Sequence, residues 1–162
     1  MAEQVVVYLS IMKDSLQEKE EVLKDILAVT KRQEEILNQE TVDADAFDET
    51  LNKKGKLIKR MQELDNGFES LYQKVSPVLQ AEKERFKPEV LELQNRIRGL
   101  TDYSVKIQAL ESRNKTRFAD FVAAKRKEIK EFKVSNKTAN SYYQNMANQH
   151  HQWQSYFMDQ KK

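Results

Sequence analysis

An all-α protein is predicted: an elongated antiparallel helical bundle or coiled coil of three to four long helices, with a further amphipathic helix at the C-terminal end. Three observations carry this. The 162-residue chain is 39% hydrophobic and 33% charged, a balance that suits long helices sharing narrow seams better than a sphere with a deep centre. Only three Gly and two Pro occur, so sheet-style hairpins and irregular loops have almost no raw material and no strand is expected. Apolar residues recur at alternating steps of four and three over most of the chain, which is the pattern of packed helix faces.

The first helix is expected over about residues 3–39. Val5, Leu9, Met12, Leu16, Leu23, Ile26 and Leu37 fall on one heptad seam, and Lys19, Thr30 and Gln33 fill the slots between them. Tyr8, Val22, Leu27, Val29 and Ile36 widen the stripe, so the helix should face more than one neighbour. "NQETVDADAF" then breaks the pattern, with Asp43 placed to cap a second helix and Asp45 in its first turn.

That second helix is expected over 43–75, through Phe47, Leu51, Ile58, Met61, Leu64, Phe68, Leu71 and Val75, with Lys54 in the open slot. "VSPVL" reads as a stop and restart, Ser76 capping and Pro77 opening a third helix over 77–133. The third seam includes Leu79, Phe86, Val90, Leu93, Ile97, Leu100, Ile107, Leu110, Asn114, Phe118, Phe121, Ile129 and Phe132. Two versions stay open: one helix kinked near Pro88 that overhangs the hairpin, or a break near Gly99 that makes four. The heptad phase passes through Gly99 undisturbed, which favours the overhang. Residues 1–137 thus form the bundle, and "KVSNKTAN" at 133–140 is a hinge or frayed end.

Residues 138–162 are of another kind. "NSYYQNMANQHHQWQSYF", 140–157, has no Lys, Arg, Asp or Glu but five aromatic rings. Tyr143, Met146, His150, Trp153 and Phe157 fall at helical spacing. Either this ribbon folds back as ordinary core, or it docks on a partner; both hold if a client displaces it from its own bundle.

Chemistry is scarce. No Cys is present, which excludes disulfides and thiolate metal sites and suits a reducing cytoplasm. His150 and His151 are adjacent, so on a helix they point about 100° apart and do not share one metal ion. Carboxylates sit among lysines at pairing distance, as Glu20 does with Lys24. No phosphate loop, nucleophile elbow or metal-ligand spacing occurs, so neither an enzyme nor a cofactor is expected.

The N-terminal stretch has no basic leader, and no apolar run is long enough to span a bilayer, so a cytoplasmic protein without membrane insertion is expected. Formal charge is +2 but uneven, −5 over residues 1–76 and +7 over 77–162. Such polarity suits packing of one half on the other, or an acidic partner. The basic run "AAKRKEIKEFK" at 123–133 is interleaved with Glu128 and Glu131 and reads as a solvated face, not a nucleic-acid site.

Two stretches resemble the flagellar type III export chaperones of the FlgN type. They are "EEVLKDILAVTKRQEEILNQETVDADAFDETLNKKGKLIKRMQELD" (20–65) and "IQALESRNKTRF" (107–118), the latter with Ile107, Leu110 and Asn114 on the family's motif positions. The sister chaperones of the FliT type share the helical plan and are the close competitor. The resemblance implies a cytoplasmic chaperone that binds the helical ends of hook-filament junction (hook-associated) proteins, keeps them from polymerising early, and delivers them to the export gate. It implies a client surface in the C-terminal region, and it places Tyr142 or Tyr143 where the family's gate-contacting tyrosine lies. The tail departs from the pattern, because it runs on into "HHQWQSYFMDQKK" instead of a Gly-containing end.

The expected partner-binding residues are Phe118, Phe121, Phe132, Tyr142, Tyr143, Met146, Trp153, Tyr156 and Phe157. The alternative is a structural coiled-coil adaptor without an export role, which predicts a homodimer or larger assembly with the tail between chains.

Overall fold

The computed structural model describes residues 2–125 and 140–145. Its only regular structure among those residues is helix: α1 spans Ala2–Leu37, α2 Ala44–Ala81 and α3 Lys87–Lys125, and residues 140–145 are again helical. With 36, 38 and 39 residues, the three long helices each extend about 55 Å at ~1.5 Å per residue.

Every predicted seam position of α1 is buried, including the polar fillers Lys19, Thr30 and Gln33. The wide stripe has its expected consequence. α1 packs along both α2 and α3, whereas α2 and α3 approach each other far less. The α1–α2 turn ends at Asp43, whose Oδ1 accepts from the Ala46 N–H at 3.0 Å, so the expected N-cap is in place. α3 runs parallel to α1, in a register marked by Lys13 with Glu92 (2.7 Å) and Arg113 with Glu34 (3.3 Å).

The second connection corrects the sequence reading. α2 does not stop at Ser76; it passes through Pro77 and ends at Ala81. An interior proline costs about 3 kcal/mol, but fully buried Val75, with Val78 and Leu79 packed on the core beyond it, keeps this turn helical. Each apolar side chain so placed contributes up to about 1.5–3 kcal/mol, enough to offset the proline. The chain leaves helical geometry only at Glu82 (φ −123°, ψ 52°), whose N–H still donates to the Val78 carbonyl at 2.9 Å.

Phe86 is buried and anchors the link. Pro88 therefore falls in the opening turn of α3, where its missing N–H breaks no ladder bond, and α3 then continues through Gly99 unbroken. The four-helix version with a break at Gly99 is excluded. Beginning ten residues later than expected, α3 up to Lys125 matches the hairpin in length.

The core forms two clusters. The larger runs from Val5 and Phe86 at one end through Leu23, Met61 and Leu100 to Ile107. The smaller closes the other end with Ile36, Leu37, Phe47, Phe118, Val122 and Tyr143. Residues 126–139 and 146–162 lie outside the described residues. So do the expected end of the third helix and most of the expected hinge, together with Phe132, Met146, Trp153, Tyr156 and Phe157.

Candidate functional site

Between the two clusters lies a polar layer contributed by all three helices. Lys54 of α2 is fully buried, and its Nζ donates to Gln33 Oε1 of α1 at 2.6 Å and to Glu111 Oε1 of α3. Gln33 Nε2 donates to Thr50 Oγ1 at 3.1 Å. Asn114 Nδ2 donates to the Thr30 carbonyl at 3.0 Å, tying α3 to α1 one turn further along. The layer exists because each helix puts polar residues into its apolar seam at the same height, Thr30 and Gln33, Lys54, and Asn114, with Thr50 and Glu111 buried beside them.

Burial is the main force on the ionisable members. It pulls Lys54 below the ordinary lysine value and pushes Glu111 above the ordinary carboxylate value, while the attraction between the two opposes both shifts. A second buried cation, Lys19, pairs with Asp65 across the α1–α2 seam and lies 5.6 Å from the Phe68 ring centroid.

The helical segment 140–145 covers the layer. Lys54 Nζ lies 5.5 Å from the Tyr142 ring centroid and 5.8 Å from that of Tyr143, which is cation–π range. The two rings meet edge to face at 5.9 Å. Tyr143 is buried among Ile36, Leu37, Phe47, Phe118 and Val122, and Tyr142 touches both clusters. Their hydroxyls, however, are buried without a hydrogen-bond partner among the described residues, and so are Glu111 Oε2 and Asn114 Oδ1. Burial raises both phenol pKa values, and the negative charge of Glu111 raises them further. Both phenols thus lie within electrostatic reach of Glu111 while none of these groups bonds to another among the described residues.

Of the expected partner-binding residues, the structure places four. Phe118 is buried and stacks on Phe47 with ring centroids 4.9 Å apart, and Phe121 lies half-buried beside it at 6.4 Å. Tyr142 and Tyr143 join them at the same end of the bundle. The motif positions Ile107, Leu110 and Asn114 are all buried, so they act in the core.

Glu111 was not foreseen. The sequence places carboxylates among lysines at pairing distance on one helix, as Glu20 is with Lys24 at 3.6 Å, whereas Glu111 pairs across helices in the core. The available signal was Lys54 itself, because a lysine in a seam slot requires a counter-charge on a neighbouring seam.

Along the same side, beyond Met61, a groove runs between α2 and α3 over Met12. Phe68, Tyr72 and Leu79 line it from one helix, Val90 and Ile97 from the other. Its charged lining among the described residues consists of Lys83 and Lys87.

The described residues contain no grouping of three or more His, Cys, Asp or Glu able to hold a metal ion, and no helix long and apolar enough to cross a membrane. Searches of curated proteins and of solved structures gave no match. Residues 8–151 match the family described as FlgN protein, and since that match covers most of the chain, the protein belongs to the FlgN family of flagellar export chaperones.

Proposed function

We propose that this chaperone binds the helical ends of hook-filament junction proteins in the cytoplasm, blocks their premature polymerisation, and delivers them to the export gate without catalysing a reaction or using a cofactor. The observation that carries the reading is the seat of Tyr142 and Tyr143. A short helical segment, connected to α3 through residues 126–139, occupies the position that a fourth helix would take. A client helix with an apolar stripe can compete for that position in the helix-in-groove manner.

The client surface then comprises Phe118, Phe121, Tyr142 and Tyr143 with the tail residues Phe132, Met146, Trp153, Tyr156 and Phe157. A tyrosine buried against its own bundle cannot touch the gate. Release of residues 140–145 by a client would therefore also expose the tyrosine that the family resemblance assigns to gate contact, coupling loading to delivery.

The test is capture of a purified junction subunit by the full chain and by a chain ending at residue 139. Capture by the full chain with suppressed subunit polymerisation supports the reading. Equal capture by the shortened chain removes the tail from the mechanism, and no capture by either removes the function.

A further inference from the structure

We infer that the face between α2 and α3 reads two polar marks on a client helix: a hydrogen-bond-donating amide or hydroxyl that lands on Glu111 Oε2 in place of the two tyrosines, and a carboxylate some seven turns away that meets Lys83 and Lys87. This rests on the client-helix reading above and names the chemistry of the client.

The first mark follows from the unmatched polar atoms. Glu111 is 7% exposed and uses one oxygen for Lys54, leaving Oε2 buried and unpaired among the described residues. A buried unpaired carboxylate oxygen costs more than a neutral one, so any helix that supplies a donor gains what the present cover forfeits. Tyr142 and Tyr143 fill the space with their rings while their hydroxyls find no hydrogen-bond partner among the described residues. They are good apolar cover and poor polar cover, as suits a segment that must be displaced.

The second mark follows from charge. The apolar groove beyond Met61 carries Lys83 and Lys87 and no carboxylate among its described lining residues. Lys87 and Glu111 stand about 24 residues apart on α3, or roughly 36 Å at 1.5 Å per residue. A client helix laid along this face needs its donor and its acidic residue at that same separation, with an apolar stripe between.

The probes are synthetic helical peptides of about 28 residues, long enough to span both marks. Each has leucines on one stripe, a Gln near one end and a Glu pair about 24 residues on, made in both orders. The controls carry Leu for the Gln, or Lys for the Glu pair. Binding to the full chain is followed by fluorescence anisotropy, and exchange of the 140–145 amides by mass spectrometry.

The expected result is roughly tenfold or more tighter binding of the doubly marked peptide in one order, with faster exchange at 140–145 on binding. The Gln preference is expected to vanish in a chain carrying Lys54→Met with Glu111→Leu, which keeps an apolar core. The Glu preference is expected to reverse in Lys83→Glu with Lys87→Glu, a pair of surface changes that leave the fold intact. Equal affinity for marked and unmarked peptides overturns the inference, and so does binding of neither, which assigns the face to the chain's own tail or a second copy. Capture of a junction subunit alongside either result would leave the chaperone function standing while this inference falls.

Discussion

Lys54 on α2 and Glu111 on α3 form an ion pair buried between helices that otherwise scarcely meet, and Gln33 of α1 completes the lysine's coordination. Three heptad helices of similar length could slide past one another by one repeat with little apolar loss. The pair forbids this, because any slip strands a charge in the core.

Removing one partner is therefore costly and removing both is not. Lys54→Met alone is expected to destabilise by about 3–5 kcal/mol, while Lys54→Met with Glu111→Leu is expected within about 1 kcal/mol of the parent. Urea unfolding of the three proteins checks this. A double variant as weak as the single one would mean the layer stabilises through its hydrogen bonds instead.

The same pair sets a pH signature. Burial raises Glu111 above 4.5 in the folded state, so stability is lost as pH climbs from 4.5 toward the raised value. It lowers Lys54 below 10.5, so stability returns as pH climbs from the lowered value to 10.5. Measured against the double variant, which retains Lys19 and every other group, the parent is expected to be least stable on the plateau around neutrality. A gap independent of pH from 4 to 10 contradicts the assigned shifts.

The tyrosine hydroxyls have no partner among the described residues. Changing Tyr142 and Tyr143 to Phe is expected to leave stability unchanged or to raise it by about 1 kcal/mol, because a buried unpaired group is removed while the rings keep their contacts. Tyr143→Ala is expected to lose about 3 kcal/mol of packing. Thermal melts with amide exchange at 140–145 decide between these outcomes, and a marked loss in the Phe variants would show that the hydroxyls bond.

If the tail acts on clients, Trp153→Ala with Phe157→Ala is expected to leave helicity and melting nearly unchanged and to abolish capture of a junction subunit. A large fall in melting temperature would make these residues core. Light scattering across a concentration series separates the chaperone from the architectural reading, for which a stable dimer is required.

Gly99 is helical, and nothing lies within 4 Å of a Cβ built there. Gly99→Ala is expected to add about 0.5–1 kcal/mol through helix propensity and reduced unfolded-state freedom, with client capture unchanged. Destabilisation would indicate a contact at this position that only the loaded state makes.

Much of the fold was legible because heptad spacing has a single physical meaning in a chain this poor in Gly and Pro. All ten seam positions of α1 are buried, and the Asp43 cap follows from one local hydrogen bond. The helix boundary at Pro77 was misread because proline is a local signal, whereas the burial of Val75 and the packing of Val78 and Leu79 on distant residues is not. Glu111 escaped for the same reason: a glutamate beside a seam looks solvated until the lysine facing it, 57 positions earlier, is known to be buried. The four aromatic candidates the structure places do gather at one end, but that two tyrosines lie over a cation follows only from the folded packing of 140–145 against α2.

The dependence of both neighbours on α1 makes that helix the keel of the molecule. Shortening the chain from its C-terminal end removes the Tyr143 packing but keeps every contact of α1 with α2 and α3, whereas trimming the first turns of α1 strips support from α2 and α3 together. Fusion tags and deletions meant to probe client loading therefore belong at the C-terminal end, where a change in binding can be read without a collapse of the hull.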